Sequence, residues 1–269
     1  MNNLLRVLTL KWICCLTFSL TLTSMNYAEL DPKTVIGLWL LDEGQGEKTK
    51  DTSGNDQHGT LRNGAKWTAG KFGQALDLDG QNDYVEIADS PQLGDMKKIT
   101  VAGWVFPRTS AGYTGYIDKT RGGTAGWRSY NLAQRNGQWE WGLANEANAK
   151  VTLQAGATKL KKWAHLAGTY DGKGMILYKD GEKIGTIAQT GPVQDSDSIL
   201  ALGCWPGGGI SNFASILIDE VVIFNEALGA KEIKSFMELG LERALAVSPQ
   251  GRLATTWGIL KKTELSIGR

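Results

Sequence analysis

Cysteine is scarce in this chain, and its placement makes it scarcer still: Cys14 and Cys15 lie within the first 28 residues, and only Cys204 lies beyond them. Residues 29–269 therefore have no internal disulfide to rely on and must hold together by their core. Histidine is limited to His58 and His165, which excludes a three-histidine zinc site, and no Ser-His-Asp pattern accompanies them. An excess of either charge is missing too. Setting aside Arg6 and Lys11, 27 basic residues face 28 acidic ones, a net of −1. Without a basic field there is no footprint for nucleic acid. Past residue 28 no apolar run approaches the roughly 20 residues that a membrane-crossing helix needs.

The first 28 residues carry no Asp or Glu, place Arg6 and Lys11 early, and run apolar from Trp12 to Leu22 before small and polar residues. That is the layout of a secretory leader ending at Ala28, so residues 1–28 are expected to be removed and the rest to be secreted or held at the cell surface. An uncleaved anchor is the other reading of the same stretch. Cys204, flanked by Leu202 and Trp205, reads as a buried, inert thiol.

Ten Trp and 34 Gly against six Pro suit many short strands joined by tight turns. Alternation predicts strands at Val35–Asp42, Ala75–Asp79, Tyr84–Ala88, Ile99–Phe106, Gly115–Lys119, Ser129–Gln134, Gln138–Leu143, Lys150–Gln154, Ala164–Tyr170, Ile199–Gly203 and Ser215–Phe224. Met175 to Ile184 predicts a hairpin, with Asp180 and Gly181 as a two-residue loop. About a dozen strands exceed what one flat sheet carries, so the fold class is all-β, a two-sheet antiparallel sandwich, with the first and last long strands side by side. One helix closes the domain, with Gly229 as N-cap, Glu232 three residues on, and Ile233, Phe236, Met237 and Leu241 as its apolar stripe. The organisation is thus a leader at 1–28, one domain at 29–242, and a basic, Pro- and Gly-punctuated tail at 243–269.

Seven segments occur in an order that resembles the laminin-G-like jelly-roll domains of bacterial secreted and surface proteins, within the concanavalin A-like lectin/glucanase superfamily. They are Gly37-Leu-Trp-Leu-Leu-Asp-Glu-Gly44; Asp51-Thr-Ser-Gly-Asn55 with His58-Gly-Thr-Leu61; Gly70-Lys-Phe-Gly-Gln-Ala-Leu76 with Asp79-Gly80 and Asp83-Tyr-Val-Glu86; Thr100-Val-Ala-Gly-Trp-Val105; Trp163 through Gly172; Tyr178-Lys-Asp-Gly181; and Ile218-Asp-Glu-Val221. The resemblance supplies the jelly roll as the specific fold. It also implies a structural calcium tying an N-terminal loop to the final strand, with Asp219, Asp42, Asp51 and Asn55 in the matching segments. Asp51, Ser53 and Asn55 equally read as a bare Asx-type turn around Gly54. Relatives usually carry Ser where Gly229 stands.

A sugar site needs an aromatic platform facing solvent with polar side chains beside it. Trp139 and Trp141 share one face of their strand, and Trp127, Arg128, Tyr130 and Trp205 fall in segments expected to neighbour them. Trp39, Trp67, Trp104 and Trp163 are assigned to the core, and His165 to a packing role. No strand offers the paired carboxylates of a retaining glycosidase, because Glu140 stands alone and the adjacent Asp219 and Glu220 point to opposite faces. The leading reading is a non-catalytic, secreted module that binds an extracellular glycan or glycoprotein. The alternatives are a protein-binding adhesive or structural ectodomain and, less favoured, a glucanase-type hydrolase acting through Glu140.

Overall fold

The computed structural model describes residues 28–94, 96–121, 129–145 and 150–246. The leader expected at 1–28, apart from Ala28, lies outside these residues, as does the tail beyond residue 246. Among the described residues sixteen strands form two antiparallel sheets. The first contains β1 (Val35–Trp39), β4 (Lys66–Ala69), β5 (Gln74–Asp79), β7 (Ile99–Pro107), β12 (Ala164–Tyr170), β13 (Gly174–Lys179), β14 (Glu182–Ala188) and β16 (Ser215–Phe224). The second contains β2 (Lys48–Thr49), β3 (Gly59–Arg62), β6 (Tyr84–Ile87), β8 (Tyr113–Asp118), β9 (Tyr130–Arg135), β10 (Gln138–Ala144), β11 (Lys150–Ala157) and β15 (Leu200–Leu202). Their orders are β14-β13-β12-β7-β16-β5-β4, with β1 also on β16, and β11-β10-β9-β8-β15-β6-β3-β2. The sandwich is the architecture that strand number and alternation predict, and the first strand does pair with the long last one. The short β2, β3 and β4 carry too little alternation to be seen in the sequence.

Period-2 patterning builds the layer between the sheets. Ile99, Val101 and Val105 of β7 face inward and meet Leu132, Trp139, Trp141 and Tyr130 of the second sheet. Trp141 lies over β12 so closely that a Cβ at Gly168 would collide with its ring, so glycine there is a packing requirement. Its indole N–H donates to Thr169 O at 3.2 Å. The Asp180-Gly181 loop has φ of 50° and 74°, the mirror-image turn expected for a two-residue hairpin.

The outer face of the first sheet is apolar and covered. Ala102, Ala167, Val222 and Phe224 meet Leu30 and Val35 from the N-terminal segment and Ile233 and Phe236 from the helix α1 (Ala230–Leu239). Gly229 N–H donates to Glu232 Oε2 at 2.6 Å, half of the capping box expected there. Two helices close the domain where one was expected: Gly240, at φ 79°, ends α1, and α2 (Leu241–Ala246) follows, burying Leu241 and Ala244. His165 packs edge-on between Trp104 and Phe236, 5.3 Å from each ring. Its burial pushes its pKa down to about 3.

Candidate functional site

The outer face of the second sheet is polar, because the residues alternating with its core aromatics are Asp118, Asn131 and Glu140. Asn131 pairs with Asp118 of β8 on one side and Gly142 of β10 on the other, so the three strands bring these side chains together. Glu140 is fully buried, and its carboxylate accepts from Arg135 Nε (2.7 Å), Asn131 Nδ2 (3.2 Å) and Gln154 Nε2 (2.9 Å). Asp118 is also fully buried and accepts from Thr120 N, Thr120 Oγ1 and the Tyr113 hydroxyl. Burial pushes its pKa up to about 6, against the pull of those donors. Arg135 completes the group by stacking on the Tyr113 ring at 4.5 Å. Glu140 thus has its oxygens engaged by three neighbours, which is the environment of a structural carboxylate rather than of an open nucleophile.

Beside this floor opens a cleft of about 590 Å³, lined by Tyr84, Glu86, Arg121, Asp197, Ile199 and Ile210 among others. Glu86 takes a forked pair from Arg62 at 3.0 and 3.1 Å, and Arg121 pairs with Asp197. The far wall is the glycine-rich loop after Cys204, closed at its base by reciprocal backbone bonds between Trp205 and Ser211. Cys204 is wholly buried against Tyr84 and Ala201, as its apolar neighbours predict, and burial raises its thiol pKa.

The structure redistributes the aromatic set proposed for sugar binding. Tyr130, Trp139 and Trp141 are at 0% exposure in the inter-sheet core, so they do not form a platform facing solvent. Trp127 and Arg128 lie outside the described residues. Trp205 is half-buried next to the cleft, with Gly208 against its ring. The order of burial expected among the tryptophans is partly inverted, since Trp67 and Trp163 are only half-buried. Alternation places Trp139 and Trp141 on one face correctly; it does not say which face the other sheet covers. Tyr84, Glu86, Arg121 and Asp197 were missed because their segments meet only through pairing remote in sequence, although Arg62 opposite Tyr84 and next to Glu86 carries a visible charge signal.

The four proposed calcium ligands divide between two places. Asp51 accepts from Leu38 N, Ser53 N, Ser53 Oγ and Gln57 N at 2.8–3.0 Å, and Asn55 Nδ2 donates to Val35 O and Ile36 O. This is the Asx-type turn, and it leaves Asp51 no oxygen to offer a cation. Asp219 and Asp42 instead hold the turn before β5: Asp219 Oδ2 accepts from Lys71 N and Phe72 N, and Asp42 Oδ1 from Gln74 N. Asp219 Oδ1 is buried without a hydrogen-bond partner among the described residues, and burial pushes this carboxyl up to about 8. A β-bulge after Asp219 puts Glu220 at φ 51°, so the two neighbours do not simply alternate. Both are buried, and Glu220 accepts from Leu241 N. Among the described residues no three Asp, Glu, His or Cys side chains converge on a metal position, and the four residues stand in two separate hydrogen-bonded turns.

Comparison with known proteins locates this architecture. Mouse (Mus musculus) pappalysin-1 is 29% identical over 157 residues, covering 55% of this chain and 9% of that protein, so the chain spans under a tenth of this relative. The binding domain of Paraclostridial Mosquitocidal Protein 1 superposes with a TM-score of 0.62 at 14% identity over 78% of this chain and 53% of that one. The binding domain of botulinum neurotoxin DC gives 0.60 in its complex with rat synaptotagmin II and 0.61 in its complex with SialylT, at 12% and 13% identity. Each of these two comparisons covers 77% of this chain and about half of the other, 52% and 51%. At such identities the likeness is one of fold. The Laminin_G_3 family, described as the Concanavalin A-like lectin/glucanases superfamily, matches residues 79–234. That match covers more than half of the sequence, and the chain belongs to this laminin-G-like family.

Proposed function

We propose that this chain is a secreted, non-catalytic binding module that takes an extracellular glycan or glycoprotein in the cleft on the outer face of its second sheet. The observation that carries the reading is the contrast in cover: the first sheet's outer face is sealed by α1, α2 and the N-terminal segment, while the second sheet presents an open cleft lined by Arg, Asp, Glu and Tyr. Such a lining suits hydroxyl-rich ligands, since Arg121 and Asp197 offer paired donors and acceptors, Tyr84 lines the cleft, and the half-buried Trp205 ring stands beside it. Toxin binding domains of the same fold, one of them solved with a protein and with SialylT, support a binding role.

A glycan array probed with the full chain, followed by titration calorimetry on any hit, tests this. Asp197→Ala and Trp205→Ala should each weaken a hit at least tenfold. A blank array together with capture by a purified glycoprotein stripped of its sugars would move the site to protein recognition. The structural calcium belongs, in this reading, to Asp219 and Asp42, because Asp219 Oδ1 is the buried oxygen left over. A melting temperature that rises with calcium and returns with chelator supports it, with Asp219→Asn abolishing the rise; no shift removes calcium from the account.

A further inference from the structure

The connection from β11 to β12 has a composition unlike the rest of the surface. From Ala147 to Tyr170 there is no Asp or Glu, and the connection itself reads Thr158-Lys-Leu-Lys-Lys-Trp163. Lys159, Lys161 and Lys162 are all exposed, and among the described residues none of them forms an ion pair. Nearby carboxylates are already engaged: Asp180 accepts from His165 N and pairs with Lys179, and Asp77 pairs with Arg108. Between the lysines stands Leu160, 41% exposed and the most exposed large apolar side chain among the described residues. At the end of the same connection, half-buried Trp163 packs edge-on against half-buried Phe106 at 5.7 Å.

The loop is held in shape rather than loose. Thr158 N donates to Gly137 O at 2.8 Å and Lys161 N to Pro107 O at 2.7 Å, tying both sides to neighbouring turns at the same end of the sandwich. Lys161 sits at φ 55°, in a left-handed conformation that a lysine adopts only when its surroundings fix it. The result is a preformed tip with an apolar centre and a cationic rim.

We propose that this tip docks the protein on an anionic lipid surface, with Lys159, Lys161 and Lys162 at the headgroup phosphates and Leu160 entering the boundary with the acyl chains. Cations alone would suit any polyanion. Leu160, with the half-buried Trp163 three residues on, selects a bilayer, because a sulfated or acidic glycan leaves these apolar groups in water whereas the headgroup region buries them. Lysine near an anionic leaflet strengthens partitioning by roughly fivefold each, so the three together are worth on the order of a hundredfold. This surface is separate from the cleft and does not depend on its ligand.

The test is co-sedimentation of the full chain with vesicles of phosphatidylcholine alone or mixed with phosphatidylserine, alongside retention on a heparin column. Comparing variants within the full chain cancels whatever residues 1–27 contribute. Expected is binding that requires phosphatidylserine, falls with salt, drops on the order of a hundredfold in K159Q/K161Q/K162Q and several-fold in Leu160→Ser. The control K33Q/K48Q/K50Q removes the same charge from exposed lysines elsewhere and should change binding little. Thermal melts of all variants should coincide, since the altered side chains are at the surface. Equal binding to both vesicle types, an equal loss in the control triple, or heparin retention lost in K159Q/K161Q/K162Q while Leu160→Ser leaves vesicle binding unchanged would each overturn the proposal, the last in favour of a polyanionic glycan.

Discussion

The two sheets share a core, yet their outer faces were built to opposite specifications. On the first sheet Ala102, Ala167, Val222 and Phe224 alternate with the core residues, and an apolar outer face of that size has to be covered, here by α1, α2 and Leu30. On the second, Asp118, Asn131 and Glu140 occupy the equivalent alternating positions and find partners in Thr120, Tyr113 and Arg135. Apolar cover stabilises one face, and hydrogen bonding satisfies the buried polar side chains of the other. A single alternating pattern thus gives one sheet an apolar outer face and the other a polar one.

The largest effect that could break this comparison is on the covered face. Phe236→Ala removes the side chain that joins α1 to Phe224 and His165, and should cost about 3 kcal/mol. For a domain of this size that lowers the melting temperature by roughly 6–12 °C. Asn131→Ala on the opposite face should cost about 1 kcal/mol, since among the described residues its amide makes one side-chain bond, to Glu140, and its Oδ1 makes none. If the two melts fell equally, the division of labour between the faces would be wrong.

A second, smaller effect sharpens it, because His165 on the covered face and Asp118 on the polar one should respond to pH with opposite signs. His165 has its pKa lowered from 6.5 to about 3, so the native state binds fewer protons than the unfolded chain; this stability is present above pH 6.5 and is lost as pH falls towards 3. Asp118 is raised from 3.8 to about 6, so its contribution is fully present below 3.8 and is lost as pH rises through 6. Between pH 4 and 6 the two slopes, each up to about 1.4 kcal/mol per pH unit, oppose one another. Relative to the wild type, His165→Phe should make urea-derived stability fall more steeply with rising pH over this window, and Asp118→Asn should make it rise. Parallel curves for all three proteins would show that neither burial sets a pKa as described.

How much of this was legible in the sequence depends on whether the deciding contact is local. The Asp180-Gly181 turn, the Gly229 cap and the alternation of β7 are decided within a few residues, and the structure has them as read. Whether Trp141 is core or platform is decided by Gly168 across the sandwich, which no local pattern contains. The opposed directions expected of Asp219 and Glu220 failed for a related reason, since a bulge needs a partner strand to define it. The cleft is the extreme case: Tyr84, Arg121 and Asp197 meet only because β6 pairs with β15 and β15 with β8.

The smallest effect concerns the cap that holds the cover in place. Gly229 has φ −87° and ψ 170°, which any residue adopts, and a Cβ there would meet only Glu232 Oε2 at an ordinary 3.5 Å. Serine therefore fits without strain and adds what glycine lacks, a hydroxyl able to accept from the N–H groups of the first turn. Gly229→Ser should stabilise by a few tenths of a kcal/mol, raising the melting temperature by about 1 °C. Because the gain lies in α1 alone, amide exchange should slow in Ala230–Leu239 and stay unchanged in β8, β9 and β10. Slowing on both faces would mean that the helix cover and the polar sheet open together, and that the two halves compared above are one cooperative unit.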